Sequence, residues 1–158
     1  MTTISPCLWF DDRLEEAAVF YTAIFPDARV GHLARRPDDG TVLAGDFTIA
    51  GVRFRGINGG PEHARFTPAV SFSIDCRDQS EVDYYWHSLA DGGEELVCGW
   101  VKDRFGLSWQ IVPTRFYELL ADPDPARAAA ATEAMLGMRR LVVADLEAAA
   151  DAAAPAVP

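Results

Sequence analysis

Cysteine is scarce in this sequence, and the few cysteines are not paired. The chain has three cysteines, an odd number, and none of them is part of a CxxC motif. Each lies in an apolar, strand-like stretch: Cys7, Cys76 and Cys98. A disulfide framework or a zinc site would need paired cysteines at short, regular spacing. We therefore expect three reduced, buried thiols rather than reactive or metal-binding ones.

Positive charge is scarce as well. Lysine and arginine number 14 against 24 aspartate and glutamate residues, which gives a formal net charge of −10. An acidic chain repels phosphate backbones and anionic lipid surfaces. We therefore expect neither nucleic acid nor a membrane surface as a partner.

Long apolar runs are also missing. No stretch approaches the ~20 apolar residues that span a bilayer, and residues 1–3 lead directly into a strand-like run instead of a basic and then apolar signal region. We therefore expect a cytoplasmic protein. Its 158 residues, 49% of them apolar, are enough for one compact domain or for two small modules that share a core.

A strand followed by a capped helix is present twice. Residues 4–10 form an apolar run, and Asp12 follows with Glu15 three positions later; residues 70–76 form a second run before Asp78 and Glu81. An Asp at the N-cap with a Glu three residues on is the capping-box arrangement, which predicts a helix start. The spacing of 66 residues between the two units predicts an internal repeat. The alternative is that two unrelated capped helices share these features.

Each predicted helix has one apolar stripe at helical spacing, which suits packing on a sheet. The stripes consist of Leu14, Ala17, Ala18, Tyr21, Ile24 and Phe25 in the first helix, and of Val82, Tyr85, Trp86 and Leu89 in the second, which is expected over residues 79–90. Turns rich in glycine and proline divide the rest of each half into strands. The further strands are residues 29–36, 41–50 and 52–57 in the first half, and 95–98, 99–102 and 107–112 in the second, whose first strand is expected over residues 69–75.

The predicted fold class is therefore α+β, with two βαβββ modules. The modules occupy residues 1–60 and 68–113 within a paired region of residues 1–115. Helices are expected over the C-terminal residues 116–147, including an Ala-rich helix at 126–138. Residues 148–158 have little to bury and are expected to form a flexible tail.

Several motifs resemble those of PhnB-like proteins in the vicinal oxygen chelate superfamily, which includes the glyoxalase and bleomycin resistance proteins. They are CGWVKDRFGLSWQIVP at residues 98–113, LWFD at 8–11, NGGP at 58–61, SFS at 71–73, VDYYW at 82–86 and GGEE at 92–95. The resemblance covers nearly the whole chain. It implies that the two modules form a curved mixed sheet, a cup with the helices outside, and that the protein is a homodimer. Similar proteins often have the name 3-demethylubiquinone-9 3-methyltransferase, and many have no assigned reaction.

The resemblance also implies where a metal ion would bind. Metal-dependent members of the superfamily place His, Gln or Glu on the first and last strands of each module. The corresponding positions here are Ser5, Ala69, Gln110 and the segment 54–56, and only Gln110 is a plausible ligand. The three histidines form no pair with ligand spacing: they are His32, His63 and His87. We therefore expect no metal ion and no cofactor.

Two further kinds of chemistry have little support in the sequence. A methyltransferase that uses S-adenosylmethionine needs a glycine-rich loop between a strand and a helix, whereas the glycines of residues 56–60 lead to Pro61 and a polar linker, which favours a tight turn. A nucleophile needs a base with an orienting partner. Asp103 and Arg104 are the best polar candidates, but they also suit a hairpin turn with a surface ion pair. Catalytic residues remain unknown, and the chain is not assigned as an enzyme.

Strand alternation predicts a sheet face with small polar side chains, opposite to the helices. Side chains from this face and from the turn at residue 58 are expected to contact a ligand: Cys7, Trp9, Asn58, Ser71, Ser73, Ser108 and Gln110. The intervening side chains are expected to face the helices: Leu8, Phe10, Val70, Phe72, Ile74, Trp109 and Ile111. Hydroxyls, an amide, a thiol and an indole suit a modest pocket, with Trp9 stacking on the ligand. The alternative is that these side chains fill the cup or lie beneath a second subunit.

The sequence thus predicts a metal-free homodimer that binds a small molecule in the cup. One alternative is a lyase, isomerase or dioxygenase whose metal ion is held by other residues. Another is an interaction module, in which the region of Trp100 and the helix at residues 126–138 build a dimer.

Overall fold

A computed structural model describes residues 2–153 of the chain. The contacts within the chain divide it after Phe66 into two units, each with one sheet and its own helices. No helix among the described residues is both long enough and apolar enough to cross a bilayer.

The first unit contains one βαβββ module. Its elements are β1 (Cys7–Phe10), α1 (Leu14–Ile24), β2 (Arg29–Arg35), β3 (Val42–Ile49) and β4 (Val52–Asn58). The strands form a mixed sheet in the order β1-β4-β3-β2, in which β1 is parallel to β4 and the other neighbours are antiparallel. The β3–β4 hairpin turns at Ala50 and Gly51, whose φ angles of 47° and 79° are those that a type I′ turn requires at both central positions.

The second unit repeats this module. Its elements are β5 (Ser71–Cys76), α2 (Gln79–Ala90), β6 (Glu94–Glu95), β7 (Trp100–Lys102) and β8 (Ser108–Pro113). The strand order is β5-β8-β7-β6, and β5 is parallel to β8. Because both sheets have the same strand order and the same parallel pair, the predicted α+β class and the predicted internal repeat are confirmed.

Three helices follow the second sheet and have an apolar core of their own. They are α3 (Thr114–Leu120), α4 (Pro125–Leu136) and α5 (Val143–Ala153). The buried side chains of this core are Val112, Phe116, Leu119, Ala131, Leu141, Leu146 and Ala150, with Met135 and Met138 packed against them. The prediction of a flexible tail is wrong for residues 148–153, because they belong to α5 and the small Ala150 is completely buried. Residues 154–158 of that prediction lie outside the described residues.

The apolar stripes of α1 and α2 pack on their sheets as predicted. The six stripe residues of the first helix, which include the C-cap Phe25, are all buried. Of the four stripe residues of α2, only Tyr85 is partly exposed. Each fully buried large side chain contributes roughly 1.5–3 kcal/mol. On the sheets, Leu8 and Phe10 face α1 and are buried, and Trp109 and Ile111 are buried in the second unit. Val70 differs from its prediction, since it precedes β5 and is 62% exposed.

The two helix caps differ. Asp78 caps α2 as predicted: its Oδ1 accepts the N–H of Glu81 at 3.0 Å, while the Glu81 carboxylate accepts the N–H of Arg77 at 2.8 Å. The prediction that Asp12 caps α1 is wrong. Helix α1 begins at Leu14 without a cap from its own turn, and the oxygen that accepts the Leu14 N–H comes from the distant Asn58.

The predicted strand over residues 95–98 ends at Glu95, because the chain turns at Cys98 and Gly99, which have φ angles of 59° and 78°. The N–H groups of these two residues donate to the carbonyl oxygens of Met138 and Arg139, each at 2.7 Å. The C-terminal segment therefore supplies the partners that a strand would have found in the sheet.

The three cysteines are unpaired, but only one of them matches the expectation of burial. Cys76 is buried in β5, and burial raises the pKa of its thiol to about 12. Cys7 is exposed on β1 and Cys98 is half-buried in its turn. Cys7 and Cys98 are therefore open to reagents, contrary to the prediction.

Candidate functional site

Each sheet has one face that points away from its own βαβββ helix, and we call this the polar face. In the first unit it carries Cys7 and Trp9 of β1 together with Arg53 and Arg55 of β4, which share the face through strand alternation and the register of Cys7 with Arg55. In the second unit it carries Ser71 and Ser73 of β5 and Ser108 and Gln110 of β8. The alternation predicted these positions correctly for β1, β5 and β8.

Trp9 is half-buried and held in place by the turn that follows β4. Its Nε1 donates to the carbonyl oxygen of Gly60 at 2.9 Å, and its ring meets that of His63 edge-on at 6.3 Å. A Cβ on Gly59 would lie 2.0 Å from Cζ2 of Trp9, so this position requires glycine. The NGGP motif therefore holds the indole of Trp9 in place, and the indole N–H already donates to Gly60.

Asn58 has a structural position on the α1 side of the first sheet. Its Oδ1 accepts the N–H of Leu14 at 2.9 Å, and its Nδ2 donates to the carbonyl oxygens of Asp12 and Val42, both at 3.0 Å. One amide thus joins the start of α1, β3 and β4. A contact between Asn58 and a ligand stays a prediction, and every polar atom of its side chain already has a partner.

The second polar face brings its four predicted residues together. Ser71 is the register partner of Ser108, and Ser73 is the register partner of Gln110. The Nε2 of Gln110 donates to the Oγ of Ser71 at 2.8 Å. Gln110 and Ser71 are half-buried, Ser73 is exposed and Ser108 is buried. A ligand on this face would therefore reach the first three side chains directly.

Two aromatic residues of this face were not predicted. Trp100 is the register partner of Gln110 on β7, and is half-buried. The hydroxyl of Tyr117, on α3, lies 3.5 Å from the Oγ of Ser73. The apolar stretch at residues 116–120 indicates a packed element directly after the last strand, but not that Tyr117 contacts this sheet face.

Grooves within the units contain some of the predicted residues. In the first unit, a groove of about 480 Å³ includes Cys7, and a polar groove of about 870 Å³ includes Asn58. In the second unit, a groove of about 770 Å³ includes Trp100 but none of the predicted residues; its lining consists of Pro68, Gly93, Glu94, Glu95, Leu96, Val97, Cys98, Trp100 and Arg139.

Asp103 is a buried turn residue and not a surface acid. It is 2% exposed, its Oδ1 accepts the N–H groups of Phe105 and Leu107 at 2.9 and 3.0 Å, and its Oδ2 accepts the Nε1–H of Trp109 at 2.8 Å. The Arg104 guanidinium pairs with Asp91, and an ion pair between Asp103 and Arg104 stays a prediction. Asp103 therefore organises the β7–β8 turn.

The residues at the metal positions of the superfamily do not fit a divalent ion. Ser5 and Ala69 precede their strands and offer no strong ligand, and the amide of Gln110 is bonded to Ser71. His32 lies on β2, an edge strand, and is exposed. Within residues 2–153, no three side chains of His, Cys, Asp or Glu converge as a metal site would require.

We expect divalent ions to leave the protein unaffected. Because a single amide oxygen does not hold Mn²⁺, Co²⁺ or Zn²⁺, the thermal midpoint of the purified protein should not rise when these ions are added, nor fall with a chelator. Elemental analysis of protein purified without chelator completes the measurement. A stoichiometric metal ion together with thermal stabilisation would contradict this prediction.

The glycine segment does not fit a methyl-donor cofactor either. The N–H groups of Gly59 and Gly60 donate to the carbonyl oxygens of Phe10 and Asp11 at 2.9 and 3.0 Å. The segment continues into a turn rather than into a helix. The backbone donors that a cofactor loop would offer to its ligand are therefore already used by β1 and the residue after it.

Comparisons with known proteins agree on one family. The family model described as 3-demethylubiquinone-9 3-methyltransferase matches residues 2–112. A solved structure from Bacillus cereus, described as a putative 3-demethylubiquinone-9 3-methyltransferase and PhnB protein, is 31% identical over 71% of this chain and 99% of its own, with a TM-score of 0.66. No curated protein matches the chain.

More distant structures share the fold alone. A protein from Pseudomonas aeruginosa is 17% identical over 72% of this chain and 98% of its own, with a TM-score of 0.59. The fosfomycin resistance protein FosX from Listeria monocytogenes is 18% identical over 71% of this chain and 90% of its own, with a TM-score of 0.54. The family match ends at residue 112, so α3, α4 and α5 lie beyond it.

Proposed function

The chain belongs to the 3-demethylubiquinone-9 3-methyltransferase family, the PhnB-like proteins of the vicinal oxygen chelate superfamily, and from this membership we propose that it binds a small molecule on its polar faces without a metal ion. The observation that carries the proposal is the state of Gln110. Its Nε2 is fixed by Ser71, whereas its Oε1 accepts no hydrogen bond from any residue between 2 and 153. A half-buried oxygen that is held in place and has no hydrogen-bond donor of its own suits a donor group of a bound ligand.

The surroundings of Gln110 indicate the kind of ligand. Ser73 and the hydroxyl of Tyr117 offer two further polar groups, and Trp100 offers an aromatic surface beside them. Such a set suits a small molecule with a planar part and one or two hydrogen-bonding groups. Cys7 and Trp9 are the proposed contacts on the first polar face, and Asn58 has the least support because its amide is fully bonded.

Methyl transfer is not part of the proposal. The family description names such a reaction, but the N–H groups of the glycine segment at residues 59–60 already have partners. The proposal includes a homodimer, which the resemblance to the superfamily supports, and a cytoplasmic location, where three unpaired thiols remain reduced.

Substitutions on the second polar face test the proposal. Compounds that raise the thermal midpoint in a screen should bind Gln110→Ala about three- to tenfold more weakly than the wild type, since one hydrogen bond contributes about 0.5–1.5 kcal/mol. Ser71→Ala should weaken binding by a smaller factor, because Ser71 fixes the amide. Isothermal titration calorimetry gives the affinities.

A matched control removes a polar side chain elsewhere. Glu133 is exposed on α4, far along the chain from both polar faces, and Glu133→Ala should leave the affinity unchanged. Equal affinity in Gln110→Ala, Ser71→Ala and the control would show that ligands bind elsewhere.

A further inference from the structure

We propose that the ligand of the first polar face carries a small anionic group, a carboxylate or a phosphate, that is bound by Arg55 with Arg53 beside it. This inference rests on the proposed function and names the chemical class of its ligand. It is carried by the groove of about 480 Å³ in the first unit, whose lining consists of Thr3, Ile4, Ser5, Cys7, Arg53 and Arg55.

The two arginines project from the same side of β4. Arg53 and Arg55 are two residues apart and exposed, whereas Phe54, between them, is 4% exposed. Gly56 faces the helix side as well, because a Cβ there would lie 2.1 Å from Cδ1 of Leu14 on α1. Both guanidinium groups therefore belong to the polar face, on the side of the sheet where Cys7 lies.

Only one of the two arginines has a carboxylate partner among residues 2–153. Arg53 donates to the Oδ2 of Asp46 at 3.2 Å, and this bond holds the pKa of Asp46 below its ordinary value. The other oxygen of Asp46 accepts the N–H of His32 at 3.3 Å. Arg55 is the register partner of Asp46, yet its side chain forms no ion pair and no hydrogen bond within residues 2–153. One positive charge in the groove is thus uncompensated.

The composition of the groove favours an anion over other ligands. No acidic side chain lines it, in a chain whose formal net charge is −10. The polar groove of the same unit differs, because its two arginines, Arg35 and Arg36, are accompanied by four carboxylate side chains: those of Asp11, Asp12, Glu15 and Asp39. A guanidinium presents a planar fork that matches a carboxylate or a phosphate in two parallel hydrogen bonds. The hydroxyls of Thr3 and Ser5 supply further donors.

The net charge also limits the size of the ligand. A polyanion such as nucleic acid would meet repulsion from the acidic surface as a whole. A small molecule with one anionic group is repelled only weakly by the acidic surface, since charges more than about 8 Å away are largely screened at physiological salt. We therefore infer a small anion.

Cys7 provides a reporter in the groove itself. Peptide mass spectrometry measures the rate at which neutral iodoacetamide alkylates Cys7. The rate in inorganic phosphate or acetate is compared with the rate in chloride at the same ionic strength. We expect phosphate or acetate at about 10 mM to slow the alkylation of Cys7 at least threefold, as for a site with a millimolar dissociation constant. Cys98, in the second unit, is the internal control and should react at an unchanged rate. The more protective anion identifies the preferred head group.

Two arginine variants decide whether Arg55 holds the anion. Arg55→Gln should abolish the protection of Cys7, while Arg65→Gln should retain it. Arg65 is a matched control, because it is also exposed and without an ion pair within residues 2–153, so both variants remove the same charge from the first unit. Equal thermal midpoints of the two variants confirm that both are folded.

The possible failures are distinct. If neither anion protects Cys7 in the wild type, or if protection is equal in the two variants, the inference is overturned. If neutral compounds from the screen bind with the predicted dependence on Gln110 while anions have no effect, the proposed function stands and only the anionic class is wrong.

Discussion

Asn58→Ala is expected to lower the free energy of unfolding by about 2–3 kcal/mol. The substitution removes three hydrogen bonds at once, each with a net contribution of about 1 kcal/mol. It also leaves the N–H of Leu14, whose side chain is fully buried, without its acceptor at the start of α1. The carbonyl oxygens of Asp12 and Val42 lose their donor. Urea unfolding of the two proteins measures the difference.

Asn58→Asp separates the two functions of the amide. It retains an oxygen for the N–H of Leu14 but places a second carboxylate oxygen against the carbonyls of Asp12 and Val42. At neutral pH we therefore expect it to be destabilised at least as much as Asn58→Ala. If both variants instead unfold like the wild type and lose ligand affinity, Asn58 is a ligand contact and not a structural hub.

Asp103→Ala is expected to lower the free energy of unfolding by about 3 kcal/mol or more. A hydrogen bond to a charged acceptor contributes about 1.5–3 kcal/mol, and three donors bond to this carboxylate: the N–H groups of Phe105 and Leu107 and the indole N–H of Trp109. The cost of burying the charge offsets part of their sum. Denaturant unfolding monitored by tryptophan fluorescence gives the value.

The control for Asp103 lies next to it in the same turn. Arg104→Ala breaks the pair with the exposed Asp91, and such surface pairs contribute about 0–1 kcal/mol. A loss in Arg104→Ala as large as that in Asp103→Ala would show that the ion pair, and not the buried carboxylate, maintains the turn. Normal stability of Asp103→Ala would contradict the structural role and return Asp103 to the list of candidate acids.

Local patterns predicted those parts of the fold that depend on neighbours in sequence. Alternation along β1 and β8 identified which side chains face the helices, because the period of two is a property of the strand itself. The cap of α2 by Asp78 was predictable for the same reason, since donor and acceptor are three residues apart. The repeated strand order followed from these local elements.

The errors concern contacts between residues that are distant in sequence. The cap of α1 comes from Asn58, 44 residues beyond Leu14, and nothing near Asp12 signals that its own side chain is not needed. The turn at Cys98 depends on carbonyl groups of the C-terminal segment, around residues 138–139. Residues 148–153 were expected to be a tail because alanine buries little area, yet small side chains such as Ala150 allow close helix packing.

The candidate site was predictable only in outline. Strand alternation predicted that Ser71, Ser73 and Gln110 lie on one face. The hydrogen bond that fixes Gln110, however, depends on the register between β5 and β8. Tyr117 reaches the same face from α3, which packs there for reasons that lie in the C-terminal core. No motif announces such an approach.

Side-chain amide signals in a ¹⁵N-correlated NMR spectrum test the central claim most directly. The chain has one asparagine and two glutamines, so three amide pairs are observed. Gln79 is the internal control, because its amide bonds to Asp83, Leu141 and Val143. A ligand from the screen is predicted to shift the Gln110 pair in a saturable manner and to leave the Gln79 pair in place. A bound ligand that leaves Gln110 unshifted would contradict binding on the second polar face.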